Sequence, residues 1–173
     1  MNNELKANFR LKEHPYPEDT GAVHEAWAKI EFSIYNRCSG ESIQLLSTEW
    51  DVIPLAEWFV DSWHSISRQA LPVNNDDQAS LGPLSIAQQM AHLQQKEFQD
   101  FESTQEDEWF DFLHKFRENH SLRFGMRGAN IPEIFIGRNQ GLGEISCVTG
   151  HQDWFYQFDV HDFCVELQKS LRL

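Results

Sequence analysis

The feature that most constrains this chain is a change of hydrophobic period. In "AWAKIEFSIYN" the apolar residues Ala28, Ile30, Phe32 and Ile34 alternate with Lys29, Glu31 and Ser33, the pattern of a strand that buries one face. From Pro54 onward the spacing shifts. Leu55, Trp58, Phe59, Trp63 and Ile66 recur three or four residues apart, as on one side of an amphipathic helix.

The remaining segments extend both patterns. "KANFRLKEH" reads as a weaker strand and "SIQLLST" as a third, with "PYPEDTG" and "CSGES" as the connecting turns. Pro54 suits a first helical turn, where a missing N–H does no harm. "LPVNNDDQASLGP" is rich in turn formers and is expected as an exposed loop. Ser85 with Gln88 forms a capping box opening a second helix that turns Ile86, Met90 and Leu93 inward. Ser103 with Glu106 repeats the signature ahead of the stripe Trp109, Phe112, Leu113 and Phe116. "SLRFGMR", "EIFIG", "GEISCVT" and "WFYQFDV" then return to strand character. Asp159 with Asp162 is placed to cap a final helix carrying Val160, Phe163, Leu167 and Leu171. The order predicts a single α+β domain over 1–173, with a largely antiparallel sheet of about six or seven strands. Three central helices and a C-terminal helix pack against it.

Three cysteines, Cys38, Cys147 and Cys164, cannot all pair within one chain, and none lies in a CxxC. No signal-peptide-like start is visible, and no run approaches the ~18–20 apolar residues of a membrane span. The expectation is a cytoplasmic protein whose thiols behave as small hydrophobes.

The net charge is −13, and it is unevenly placed. Residues 1–48 hold 7 acidic and 5 basic side chains, 49–119 hold 14 and 4, and 120–173 hold 6 and 5. The middle third therefore carries −10 of the total. Such a field repels nucleic-acid phosphates and anionic membranes and attracts basic proteins.

Chemistry is most open to suspicion in "FGMRGANIPEIFIGRNQGLGEIS", residues 124–146. Its glycines form neither a dinucleotide fingerprint nor a P-loop, because Gly141-x-Gly143 lacks a third glycine and leads into a strand. Hairpin turns explain them better. Arg123 and Arg127 share one face of the expected strand, with Arg138 in the following turn. Such a cluster either holds an anionic ligand or pairs internally with Glu133 and Glu144. The eight histidines form no HExxH and no zinc spacing, so neither a metal nor a cofactor is expected. His151 to Trp154 and Asp159 to Asp162 set imidazole beside carboxylate, yet one reads as a turn and the other as a helix start. No serine lies in G-x-S-x-G, and no catalytic residue is assigned.

The acidic stretch remains. Asp76, Asp77, Asp100, Glu102, Glu106, Asp107, Glu108 and Asp111 are candidates for one negative surface. The leading expectation is a small acidic binding protein that neutralises a basic protein partner, such as a nuclease toxin, in the manner of a bacterial toxin immunity protein. The alternatives are a domain holding an anionic small molecule at Arg123, Arg127 and Arg138, and an acidic mimic of DNA.

Overall fold

The computed structural model describes residues 2–19, 21, 25–69, 71, 84–95, 103–149 and 153–171, with the side chains of all but 103–106. Three strands come first: β1 (Asn3–Leu11), β2 (Trp27–Asn36) and β3 (Ser42–Asp51), paired antiparallel in that order. The alternation acts as its period dictates. Ala28, Ile30, Phe32 and Ile34 are buried beside Leu5, Ala7 and Phe9 of β1. Lys29, Glu31 and Ser33 look outward and stay partly exposed.

Asp51 ends β3 and starts α1 (Val52–Arg68). Its carboxylate accepts from the Ile53 N–H at 3.0 Å and the Ala26 N–H at 2.9 Å, tying the helix start to the sheet. The stripe of α1 that holds Leu55, Trp58, Phe59 and Ile66 is buried against the sheet. Phe59 is the hub, with its ring centroid 6.3 Å from Phe32 and 6.0 Å from Phe163. Burying such a side chain contributes about 2–3 kcal/mol.

Two further helices follow, α2 (Ile86–Gln94) and α3 (Ser103–His120), then the short α4 (Leu122–Gly125). The capping box at Ser85 and Gln88 forms as expected. The one expected at Ser103 and Glu106 lies outside the described side chains. Three more strands, β4 (Ile134–Asn139), β5 (Leu142–Cys147) and β6 (Trp154–Phe158), precede α5 (Val160–Ser170). The α+β class, the antiparallel pairing and the C-terminal helix agree with the sequence. The six described strands, however, form two three-stranded sheets, β1-β2-β3 and β4-β5-β6, where one sheet was expected.

"SLRFGMR" also differs. Only Ser121 makes a bridge, to Phe135, and the chain then turns into α4. Leu122 and Met126, four residues apart, are fully buried, while Phe124 between them is only half-buried against His114. The decisive spacing was helical, and the apparent alternation concealed it.

The second sheet is covered on both sides over β4 and β5. Ile134, Ile136, Ile145, Cys147 and Phe158 join the core of α1 and the first sheet. On the opposite side Phe135 packs with Ile86, Met90 and Leu93 of α2 and Leu113 and Phe116 of α3. Gln140 and Gly141 both take positive φ, 51° and 84°, forming the two-residue turn that fits the twist of β4 and β5. Gly137 serves close approach: a Cβ there would lie 2.7 Å from Nδ1 of His120.

The final helix seals the outer edge of β1. Asp159 caps it, accepting from the His161 and Asp162 N–H groups at 2.8 and 3.1 Å. Ser170 Oγ donates to the Ala7 carbonyl at 2.7 Å, and Asp162 meets Arg37 at 2.9 Å. An unpaired strand edge invites pairing with other chains, and this helix blocks it.

Candidate functional site

The charges divide the molecule. All five Lys and Arg residues of positions 1–48 are in ion pairs on or beside the solvent face of the first sheet. Lys6 meets Glu4 at 2.7 Å, Lys29 and Arg10 meet Glu31 at 2.7 and 3.4 Å, and Lys12 meets Glu49 at 2.5 Å. Arg37 bridges Glu4 and Asp162. The Lys29 hydrogen bond holds the Glu31 carboxyl below its usual range, and that of Lys6 does the same for Glu4. These pairs are solvent-facing and individually worth about 0–1 kcal/mol. Their consequence is electrostatic neutrality of that face.

The helical side is different. Glu57 and Asp61 of α1 and Asp107, Glu108 and Asp111 of α3 are exposed and make no ion pair among the described residues. Asp107 and Asp111 are four residues apart and Glu108 and Asp111 three, so all three crowd one flank of α3. Like charges at that spacing cost roughly 0.2–0.5 kcal/mol per pair. Phe110, 49 % exposed, stands among them. The C-terminal half of α3 is locally balanced instead, with Lys115 and His114 on Glu118 at 3.0 and 3.4 Å. α1 and α3 are joined by the Trp58 indole N–H donating to the Glu118 carbonyl at 2.7 Å. Asp61, three residues on from Trp58, is therefore on the flank of α1 that turns toward α3.

Of the eight acidic residues expected to form a surface, the structure brings Asp107, Glu108 and Asp111 together. Asp76, Asp77, Asp100 and Glu102 lie outside the described residues, as does the side chain of Glu106. Glu57 and Asp61 extend the exposed acidity and were missed, because the helical stripe of α1 was read for its buried side.

The three arginines do not form one cluster. Arg123 and Arg127 border a depression of about 580 Å³ with Arg117, Phe124 and Asn130. Arg127 lies over the Phe124 ring at 5.3 Å. Arg138 lies five residues beyond Glu133, roughly 16 Å along an extended strand, in a different cleft. Neither carboxylate expected to pair with them does so. Glu133 is held by two N–H groups of Arg117 at 2.9 and 2.8 Å. Glu144 points to the side of the second sheet opposite Arg138, accepting from the Ile86 N–H at 2.6 Å and Asn139 Nδ2 at 2.7 Å.

Glu144 and Ser146 together hold the start of α2. The Ser146 hydroxyl accepts from the Ala87 N–H at 3.1 Å, so two successive orphan amides are satisfied from a neighbouring strand. Both side chains are buried, Glu144 at 1 % and Ser146 at 0 % exposure. Their spacing of two on a strand was the available signal, but it carried no hint that a helix end lay above.

The chain matches no protein-family model, no curated protein and no solved structure.

Two buried titratable groups are held in their neutral forms. Burial pushes the Cys147 thiol up to about 11, which keeps it protonated and unreactive. His120 is fully buried and stacked on Phe116 at 4.0 Å, and burial lowers its pKa to about 4. Its Nδ1–H donates to the Ile136 carbonyl at 3.0 Å, and Nε2 has no hydrogen-bond partner among the described residues. His161 is exposed, and His151 lies outside the described residues. Among the described residues no three His, Cys, Asp or Glu side chains converge as a metal ion would require. No described helix is long and apolar enough to cross a membrane.

Proposed function

We propose that the chain is a binding protein that neutralises a basic protein partner, in the manner of a toxin immunity protein. The observation that supports the reading is the contrast in charge pairing. Carboxylates on the first sheet are matched by lysine and arginine, whereas Glu57, Asp61, Asp107, Glu108 and Asp111 are solvent-facing and unmatched among the described residues. Unmatched charge on adjoining helices steers a cationic partner, and Phe110 offers an aromatic anchor within the same surface.

The test is kinetic. A basic protein captured by the purified chain in an unbiased pull-down is mixed with it in stopped flow. The association rate should fall by about tenfold or more as salt is raised to a level that screens surface charge. Reversal of Asp107, Glu108 and Asp111 to Lys should slow association at low salt and leave thermal unfolding near that of the parent. A rate indifferent to salt and to the reversal defeats the reading.

A further inference from the structure

A trough runs between α1 and α5. One end, about 430 Å³, is bordered by Arg68, Ser67 and Trp63 of α1, Arg138 of β4 and His161 and Cys164 of α5. A second space of about 280 Å³, bordered by Phe59, Val60, Leu167 and Leu171, shares Trp63 and Cys164 with the first as lining residues. The first end is cationic and the second apolar.

The cationic end is built. Arg138 is half-buried in a chain of net charge −13, yet it makes no ion pair among the described residues. Its Nη1 donates to the Ser67 carbonyl at 3.4 Å and its Nη2 to the Gly141 carbonyl. Backbone oxygens thus fix the guanidinium without a carboxylate in contact among the described residues, and they occupy two of its five donors. Arg68, in the last turn of α1, adds a second cation without an ion pair among the described residues. Asp159 at the rim is already engaged as the cap of α5.

The shape selects the ligand. The amides that open α5 are held by Asp159, so no backbone cradle awaits a phosphate. A guanidinium fork is left to meet a single oxyanion such as a carboxylate, and the apolar space beyond it calls for a hydrocarbon on the same molecule. From Arg68 back to Phe59 the trough follows α1 for nine residues, about 13 Å at the helical rise, with apolar side chains along its far half. We propose that the trough binds a free amphiphilic carboxylate of the medium-chain fatty-acid type. Its carboxylate sits at Arg68 and Arg138, and its hydrocarbon lies along α1 toward Leu171. This site is separate from the acidic surface of α3 and does not depend on it.

Calorimetric titration of the whole chain with decanoate, decanol and acetate, each kept below aggregation, tests the assignment. Decanoate should bind saturably at one per chain. Decanol, without the charge, and acetate, without the hydrocarbon, should each bind at least tenfold more weakly. Arg68→Gln and Val60→Glu sit at exposed positions and should each weaken decanoate about tenfold while thermal unfolding stays near that of the parent. They keep the test decisive if Arg138→Gln disturbs the β4–β5 turn. Arg123→Gln should bind decanoate as the parent does. Absence of saturable binding, equal affinity for decanol, or unchanged affinity in both Arg68→Gln and Val60→Glu would overturn the site.

Discussion

The two sheets have the same strand number and the same antiparallel meander, yet they meet their surroundings differently. The first buries one face, and its charged residues sit on the other in ion pairs. The second is covered on both faces over β4 and β5, and its buried polar side chains Glu144 and Ser146 hold a helix in place. A polar residue on the first sheet meets water, so its loss is cheap. A polar residue on the second completes another element, so its loss leaves amides without partners. The same residue type thus has different energetic weight in the two places.

Six substitutions and one change of pH probe that difference, and denaturant unfolding reads each. Glu144→Ala should have the largest effect, a loss of about 3 kcal/mol, because the buried Ile86 amide loses its acceptor and Asn139 loses one of its hydrogen bonds. Its counterpart Glu31→Ala should cost under about 1 kcal/mol. Equal losses at the two positions would erase the contrast.

Acid should come next. The folded-state pKa of His120 is lowered from 6.5 to about 4. The unfolded chain therefore takes up the proton first as pH falls. The stability that neutral His120 supplies is complete above about pH 6.5 and is lost progressively toward pH 4, by on the order of 3 kcal/mol. His120→Phe should flatten that part of the pH profile, and an unchanged slope would show that other groups govern it.

Gly137→Ala should destabilise by about 2 kcal/mol, since the new methyl meets the His120 ring and the backbone or ring must shift. Ser33→Ala, on the solvent side of β2, should be nearly neutral. Lys29→Ala should likewise be small, a change within about 0.5 kcal/mol that fades with added salt.

How much of this was legible follows from the same contrast. The first sheet, α1, the capping box at Ser85 and the cap at Asp159 were readable, because each rests on local periodicity or a short-range hydrogen bond. The division into two sheets was not, since strand spacing in sequence says nothing about which edges meet. Residues 121–127 misled because Leu122, Phe124 and Met126 alternate in hydrophobicity while only the first and last are buried. Arg138 was flagged, but its partner in space, Arg68, lies seventy residues earlier in the chain. The acidity of α3 was visible as composition. That Asp107, Glu108 and Asp111 lack cationic neighbours among the described residues is a tertiary fact.

The seal on β1 has a temporal consequence. The hydroxyl that closes its edge comes from Ser170, 163 residues after the Ala7 carbonyl it meets. At typical rates of synthesis that interval is roughly 8–30 s, during which the nascent first strand has one bare flank. Whatever shields that flank on the ribosome must yield it when the last helix emerges.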